Sequence, residues 1–227
     1  MRTLGVIGGM GPAATFDFCS KLTAAAPALR DQDHPRILVD CDPSIPDRNA
    51  AIRGAGPSPG PKLAAIARGL VGQGAEVLAM PCNTAHAFRE AIEEAEPGAL
   101  VCIISATLSQ VRRTGASRVG VLAAEGCLAS GLYQDGLEAE GCAPLLLDGR
   151  SQEAFMELIY RIKSGELSEA VRAGMHELAS GLALRGAEVI IAGCTEVPLA
   201  LGGTPAGLPP VLSSTDALVR AVLLRLG

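Results

Sequence analysis

The sequence predicts an α/β protein built from two similar units, each a mainly four-stranded parallel sheet flanked by helices, the two related by pseudo-twofold symmetry. Three observations predict it. Short apolar runs alternate with longer amphipathic ones along all 227 residues, the pattern of parallel strands joined by crossover helices. The 27 glycines and 15 prolines follow no period, so they mark turns rather than collagen. One stretch also recurs without a gap: Gly74-Ala75-Glu76-Val77-Leu78-Ala79-Met80-Pro81-Cys82-Asn83-Thr84 matches Gly186-Ala187-Glu188-Val189-Ile190-Ile191-Ala192-Gly193-Cys194-Thr195-Glu196.

The runs at residues 4–7, 37–39, 77–80, 101–104, 119–122, 145–147, 189–192 and 211–212 read as eight strands. Helices fit between them at 13–26, 62–71, 84–94, 106–113, 130–140, 152–163, 168–184 and 216–226. Gly72 and Gly74 bracket one helix end, Gly186 follows another, and Ser151 and Ser214 are placed as N-caps. The proline-rich stretch 43–61 reads as a long loop of the kind that forms lids or binding loops. A weaker echo sets Leu4-Gly5-Val6-Ile7 against Val119-Gly120-Val121-Leu122. The seam between the copies then falls near 114–117, with a first domain over 1–105 plus 208–227 and a second over 106–207.

Composition excludes several classes. With 48% hydrophobic and 19% charged residues the chain has the material for a sizeable core. A net charge of −5 with scattered basic residues leaves no footprint for nucleic acid, and with no Trp, two Tyr and four Phe there is no base-stacking platform. The longest apolar stretch, around 100–111, falls short of the roughly 20 residues that span a bilayer, so no membrane segment is expected. Gly8, Gly9, Gly11 and Pro12 interrupt the first apolar run too early for a signal peptide, and a cytoplasmic location is expected. Seven cysteines without a C-x-x-C pair read as reduced thiols, most of them small buried hydrophobes such as Cys102.

Cys82 and Cys194 stand apart because they occupy equivalent points of the repeat. Each ends a strand where the next helix begins, which is where open α/β sheets place ligands. Helix N-termini carry partial positive charge and unpaired N–H groups. Both thiols are therefore expected to ionise more readily than a free thiol of pKa about 8.5. The N–H groups of Asn83, Thr84, Ala85, Thr195 and Glu196 are placed to hold a carboxylate. Two thiols facing each other across a pseudo-twofold suit proton exchange at a stereocentre, one removing the α-proton and the other delivering a proton to the opposite face. Repulsion between two thiolates favours one ionised and one protonated. The three lysines, Lys21, Lys62 and Lys163, stand in no context that suggests a pyridoxal Schiff base, so no cofactor is expected.

The phrases Gly8-Gly9-Met10-Gly11-Pro12, Ile45-Pro46-Asp47-Arg48, Met80-Pro81-Cys82-Asn83-Thr84-Ala85-His86 and Gly193-Cys194-Thr195-Glu196-Val197-Pro198 together resemble the aspartate racemases of the aspartate/glutamate racemase superfamily, essentially end to end. The resemblance implies two Rossmann-like domains with the active site in the cleft between them, a homodimer, and two-base racemisation of a small amino acid without pyridoxal phosphate or metal. It implies Cys82 and Cys194 as the catalytic pair and Asn83, Thr84 and Thr195 at the α-carboxylate, with Met10 and Ala85 also lining the substrate. Arg48 and Lys163 match the cations that hold a second, side-chain carboxylate. Two departures bear on specificity: Ala123-Ala124-Glu125-Gly126-Cys127 stands where many relatives carry threonines, and Asp42 where asparagine is common. If they face the pocket, both disfavour a dianion. Aspartate leads, with glutamate, a neutral amino acid or a broad range open.

Two other readings compete. Gly9-Met10-Gly11-Pro12-Ala13-Ala14 fits G-x-G-x-x-A, with Asp40 or Asp42 at a suitable distance, as in an NAD(P)-dependent oxidoreductase. That reading leaves the duplicated cysteine unexplained. Cys82 and His86, at i and i+4, could join Cys194 in a non-catalytic metal or carboxylate site, but no fourth ligand is evident. His86 is expected instead to orient the first turn after Cys82. Glu196 is either a first-turn acid or a partner for the substrate ammonium.

Overall fold

A computed structural model describes all 227 residues. Its strands are β1 (Leu4–Gly8), β2 (Ile37–Cys41), β3 (Val77–Ala79), β4 (Leu100–Val101), β5 (Arg118–Leu122), β6 (Ala143–Leu146), β7 (Val189–Ala192) and β8 (Val211–Ser213). They form two four-stranded sheets, ordered β2-β1-β3-β4 and β6-β5-β7-β8, with every neighbouring pair parallel. The two orders are the same once the numbering is shifted. β1, β3 and β7 are buried along their whole length, while the edge strands β2, β6 and β8 are only partly covered. Central strands roofed by helices on both faces must be apolar at every position, which is why they appear in the sequence as continuous runs.

Most of the repeated stretch has a structural explanation, and the explanation is the same in both copies. Gly74 (φ 99°) and Gly186 (φ 88°) end a helix in the left-handed region open to glycine. Ala75 and Ala187 pack beneath Gly5 of β1 and Gly120 of β5. A Cβ on Gly5 would meet Leu78 at 2.8 Å, Ala75 at 2.9 Å and Leu70 at 3.1 Å, and one on Gly120 would meet Ile190, Ala187 and Leu182 at 3.1–3.3 Å. Glu76 accepts the Thr3 N–H at 3.0 Å and Glu188 the Ser117 N–H at 2.6 Å, each steadying the entry to the neighbouring strand. The cysteine eight residues after each glycine lies just beyond the strand and is buried in the core of its unit.

The chain divides into two compact units, Met1–Ala106 with Thr215–Gly227, and Thr107–Ser214. Each has its own core. Ile7, Met10, Ile45, Leu63, Met80 and Ile92 belong to the first, and Leu122, Phe155, Ile159, Met175 and Val197 to the second. The return to the first unit begins at Thr215 rather than at 208, because β8 pairs with β7 in the second sheet. The division lies inside the helix Ile103–Thr114.

Several expected elements differ in detail. Ile103 and Ile104 are buried residues of a helix's first turn, not of a strand. The expected helix 84–94 is a 3-10 helix, Thr84–Phe88, followed by an α-helix, Arg89–Ala95. The expected helix 130–140 is split into Glu125–Ala129 and Gln134–Ala139, with Gly131 in the left-handed region between them. The proline-rich loop contains the helix Arg48–Ile52, capped by Asp47, whose carboxylate accepts the Ala50 N–H at 2.6 Å. Ser151 is not a cap: Asp148 caps the helix Gly149–Lys163 and accepts the Ser151 N–H at 2.8 Å. Ser214 is the first residue of the last helix, Ser214–Leu226. No helix is long and apolar enough to cross a membrane.

Candidate active site

In the first unit β3 leads through Met80 and Pro81 to Cys82, and a 3-10 turn carries Asn83, Thr84, Ala85 and His86 back inward. All five are buried. Cys82 shares an apolar cluster with Met10, Ile45 and Ala85, so two segments that are distant in sequence join its turn in one core. Its N–H donates to the Met80 carbonyl at 2.8 Å. His86 Nδ1 lies 2.8 Å from the Cys82 carbonyl oxygen, and the Ile103 N–H donates to His86 Nε2 at 3.2 Å. Both ring nitrogens are therefore engaged within the protein, which argues against His86 as a metal ligand. No group of three or more His, Cys, Asp or Glu side chains is arranged to hold a metal ion.

Arg48 is half-buried at the start of its short helix. Its guanidinium donates back to the carbonyl oxygens of Pro46 at 3.0 Å and Ile45 at 3.3 Å. Asp42 does not present a bare charge. Lys62 reaches it at 2.7 Å, Ser44 donates to it through backbone and hydroxyl, and Lys62 also bonds Ser44. These partners, Lys62 first, hold the Asp42 carboxyl down at about 2.

The glycine-rich loop is also spoken for. The Gly9 N–H donates to Thr15 Oγ1 at 3.0 Å, and the Asp42 backbone packs where a Gly9 side chain would go. Glycine there serves internal packing, not the approach of a pyrophosphate.

In the second unit β7 leads through Gly193 to Cys194, Thr195 and Glu196, all buried. The Cys194 thiol donates to Glu196 Oε2 at 2.9 Å, the Thr195 hydroxyl donates to the same oxygen at 3.3 Å, and Lys163 Nζ meets Glu196 Oε1 at 2.5 Å. A buried carboxylate thus stands between a thiol and an ammonium. The expectation that Cys194 ionises readily is overturned. Burial pushes its thiol well above the ordinary value, and the Glu196 charge adds to the rise, outweighing the opposing pull of Lys163. The helix dipole offers little relief, because the helix that follows, Val197–Leu201, has only five residues.

The sequence places Lys163 for a substrate carboxylate, whereas its partner in the structure is Glu196. Glu196 is the residue that sequence leaves undecided. The repeat holds the signal: Cys82 is followed two residues on by Thr84, Cys194 by Glu196, the one position near the thiols where the copies differ in charge. The other lysines are paired as well, Lys21 with Asp17 and Asp216 and Lys62 with Asp42. The pocket segment that departs from the expected threonines places Ala123 and Ala124 in buried positions, and Gln152 donates to the Ala123 carbonyl at 3.0 Å.

Comparison with known proteins accords with this duplicated arrangement. The chain is 28% identical to the broad specificity amino-acid racemase RacX of Bacillus subtilis (strain 168), over 97% of this chain and 96% of that one. Among solved structures it is similar to the Picrophilus torridus aspartate racemase, with a TM-score of 0.90 and 28% identity over 100% of this chain and 95% of that one. The glutamate racemase of Francisella tularensis subsp. tularensis SCHU S4, solved in complex with D-glutamate, shares the fold, with a TM-score of 0.70 and 18% identity over 99% of this chain and 81% of that one. The Asp/Glu/Hydantoin racemase model matches residues 7–222, from within β1 to the last helix. A match that runs through both sheets and both strand-end cysteines makes the chain a member of the Asp/Glu/Hydantoin racemase family.

Proposed function

We propose that the protein is a cofactor-independent amino-acid racemase that interconverts L- and D-aspartate by two-base proton transfer between Cys82 and Cys194. The observation that carries this reading is the pair of buried cysteines at equivalent strand ends of two duplicated sheets. In this mechanism the Cys82 thiolate takes the α-hydrogen as a proton, and the electron pair left on Cα is delocalised into the α-carboxylate, held by the turn from Asn83 to Ala85 and by Thr195. The Cys194 thiol delivers its proton to the opposite face and becomes a thiolate. The reverse passage exchanges the roles.

Glu196 has a defined part. As the carboxylate at hydrogen-bond distance from the Cys194 sulfur, it holds the thiol in its protonated form, and when the thiol has given its proton to the substrate Lys163 offsets the charge of thiolate and carboxylate side by side. A substrate side-chain carboxylate arriving at Lys163 competes with Glu196 for the ammonium, which couples recognition of a dianion to release of the thiol. Arg48 supplies the second cation by turning away from the Ile45 and Pro46 carbonyls. Because Lys62 neutralises Asp42, that departure does not repel a dianionic substrate as a bare carboxylate would.

The test incubates reduced protein with single L-amino acids in deuterated water, without added pyridoxal phosphate, and follows α-deuterium uptake and loss of optical rotation. Aspartate is expected to exchange fastest. A glutamate or neutral amino acid that exchanges as fast would replace the substrate assignment, and no exchange with any acidic or neutral amino acid would overturn the reading.

A further inference from the structure

His86 is buried in the first unit, and the second copy of the repeat has Pro198 at the equivalent position. Its two contacts fix its chemical state. A backbone N–H can only donate, so Nε2, which receives the Ile103 N–H, carries no hydrogen. The proton must then sit on Nδ1, where it donates to the Cys82 carbonyl. The Ile103 N–H is one of the first donors of the helix Ile103–Thr114, and the imidazole accepts it. One ring therefore joins the peptide of Cys82 to the start of the twelve-residue helix that follows β4 in the chain.

We propose that His86 is a positioning residue for Cys82: held as the neutral Nδ1–H tautomer, it clamps the cysteine's peptide to the helix start and fixes the turn that carries Cys82, Asn83 and Thr84. The proposal rests on the reading of Cys82 as an acid/base group. The state it requires is also the one burial imposes. Desolvation, with a smaller contribution from Arg89, holds the imidazole down at about 4 against the opposing pull of the Cys82 carbonyl, so the ring stays neutral through the working range. The corresponding Cys194 carbonyl receives a backbone N–H, from Val197 at 3.0 Å, and needs no side chain.

The test labels the three histidines of the full chain with nitrogen-15 and assigns His86 by the signals lost in His86→Asn. The expected spectrum shows a protonated Nδ1 and a bare Nε2, unchanged from neutral pH down to about pH 5. An Nε2–H tautomer, or titration near the ordinary histidine value, would overturn the proposal.

Kinetics supply the second readout. Asparagine keeps a donor where Nδ1 stood, so His86→Asn should retain more activity than His86→Phe, which should lose about tenfold or more in kcat at nearly constant KM, as misplacement of a reacting group does. Unchanged kcat in His86→Phe, or a loss confined to KM, would contradict the clamp. If Cys82→Ala stayed fully active while the tautomer was as stated, the acid/base reading of Cys82 would fall, and with it the need for a positioning residue.

Discussion

Cys82 and Cys194 close the same turn of the same repeated sheet, yet their surroundings are opposite in kind. Around Cys82 the fixed contacts are made to its backbone, through Met80 and His86, and the side chain two residues on is the neutral Thr84. Around Cys194 the fixed contact is made to the sulfur itself, by a carboxylate that Lys163 anchors. Duplication supplies two thiols on equal backbones, and a few following residues make them unequal. A two-base reaction needs that inequality, because it starts with one thiol holding a proton and the other without one.

The largest test of the comparison removes each sulfur in turn. Cys82→Ala and Cys194→Ala are each expected to lower racemisation by roughly three orders of magnitude, measured as loss of optical rotation, since neither thiol has a substitute. Full activity in either variant would break the two-base scheme. Next in size is Glu196→Gln, which removes the charge that keeps Cys194 protonated and should cost about a hundredfold. Because L and D enantiomers of a free amino acid are equal in energy, kcat/KM must fall equally from both sides. Unchanged kcat/KM in Glu196→Gln would remove Glu196 from the reaction.

A smaller effect tests the shared framework. Gly5→Ala forces a Cβ against the immobile Cβ of Ala75 and should cost about 1–3 kcal/mol in denaturant unfolding. Gly120→Ala meets its neighbours a few tenths of an ångström farther off and should lose less, partly offset by reduced entropy of the unfolded chain. The smallest effect is the acid response of Asp42. Its carboxyl is lowered in the folded state, so its contribution is present above the usual carboxylate value and disappears as pH falls towards about 2. Asp42→Asn should flatten the acid limb of stability slightly, with little effect in high salt, as suits a solvent-exposed pair.

The central strands were legible because burial on both faces leaves no polar position in them, and the repeat exposed the duplication that the sheet orders display. Less legible were features set by contacts across the fold. Ile103 and Ile104 form an apolar run too short to tell strand from helix, and only their place in the helix's first turn decides it. Ser151 has the composition of a cap, but the chain turns three residues earlier, at Asp148. At the candidate site the thiols could be picked out from their positions alone, while the fate of Lys163 could not. Its pairing with Glu196 is a tertiary contact, and so are the burial and the Glu196 charge that together hold the Cys194 thiol up against the pull of Lys163.

The inequality of the two thiols is tested most directly by peptide-resolved alkylation of the reduced, folded protein across a pH series, in wild type and in Glu196→Gln. The expected result is that Cys82 is modified first and Cys194 stays silent until well into the alkaline range, with Glu196→Gln moving Cys194 to markedly lower pH. Modification of Cys194 before Cys82, or a Cys194 profile unchanged by Glu196→Gln, would contradict the account.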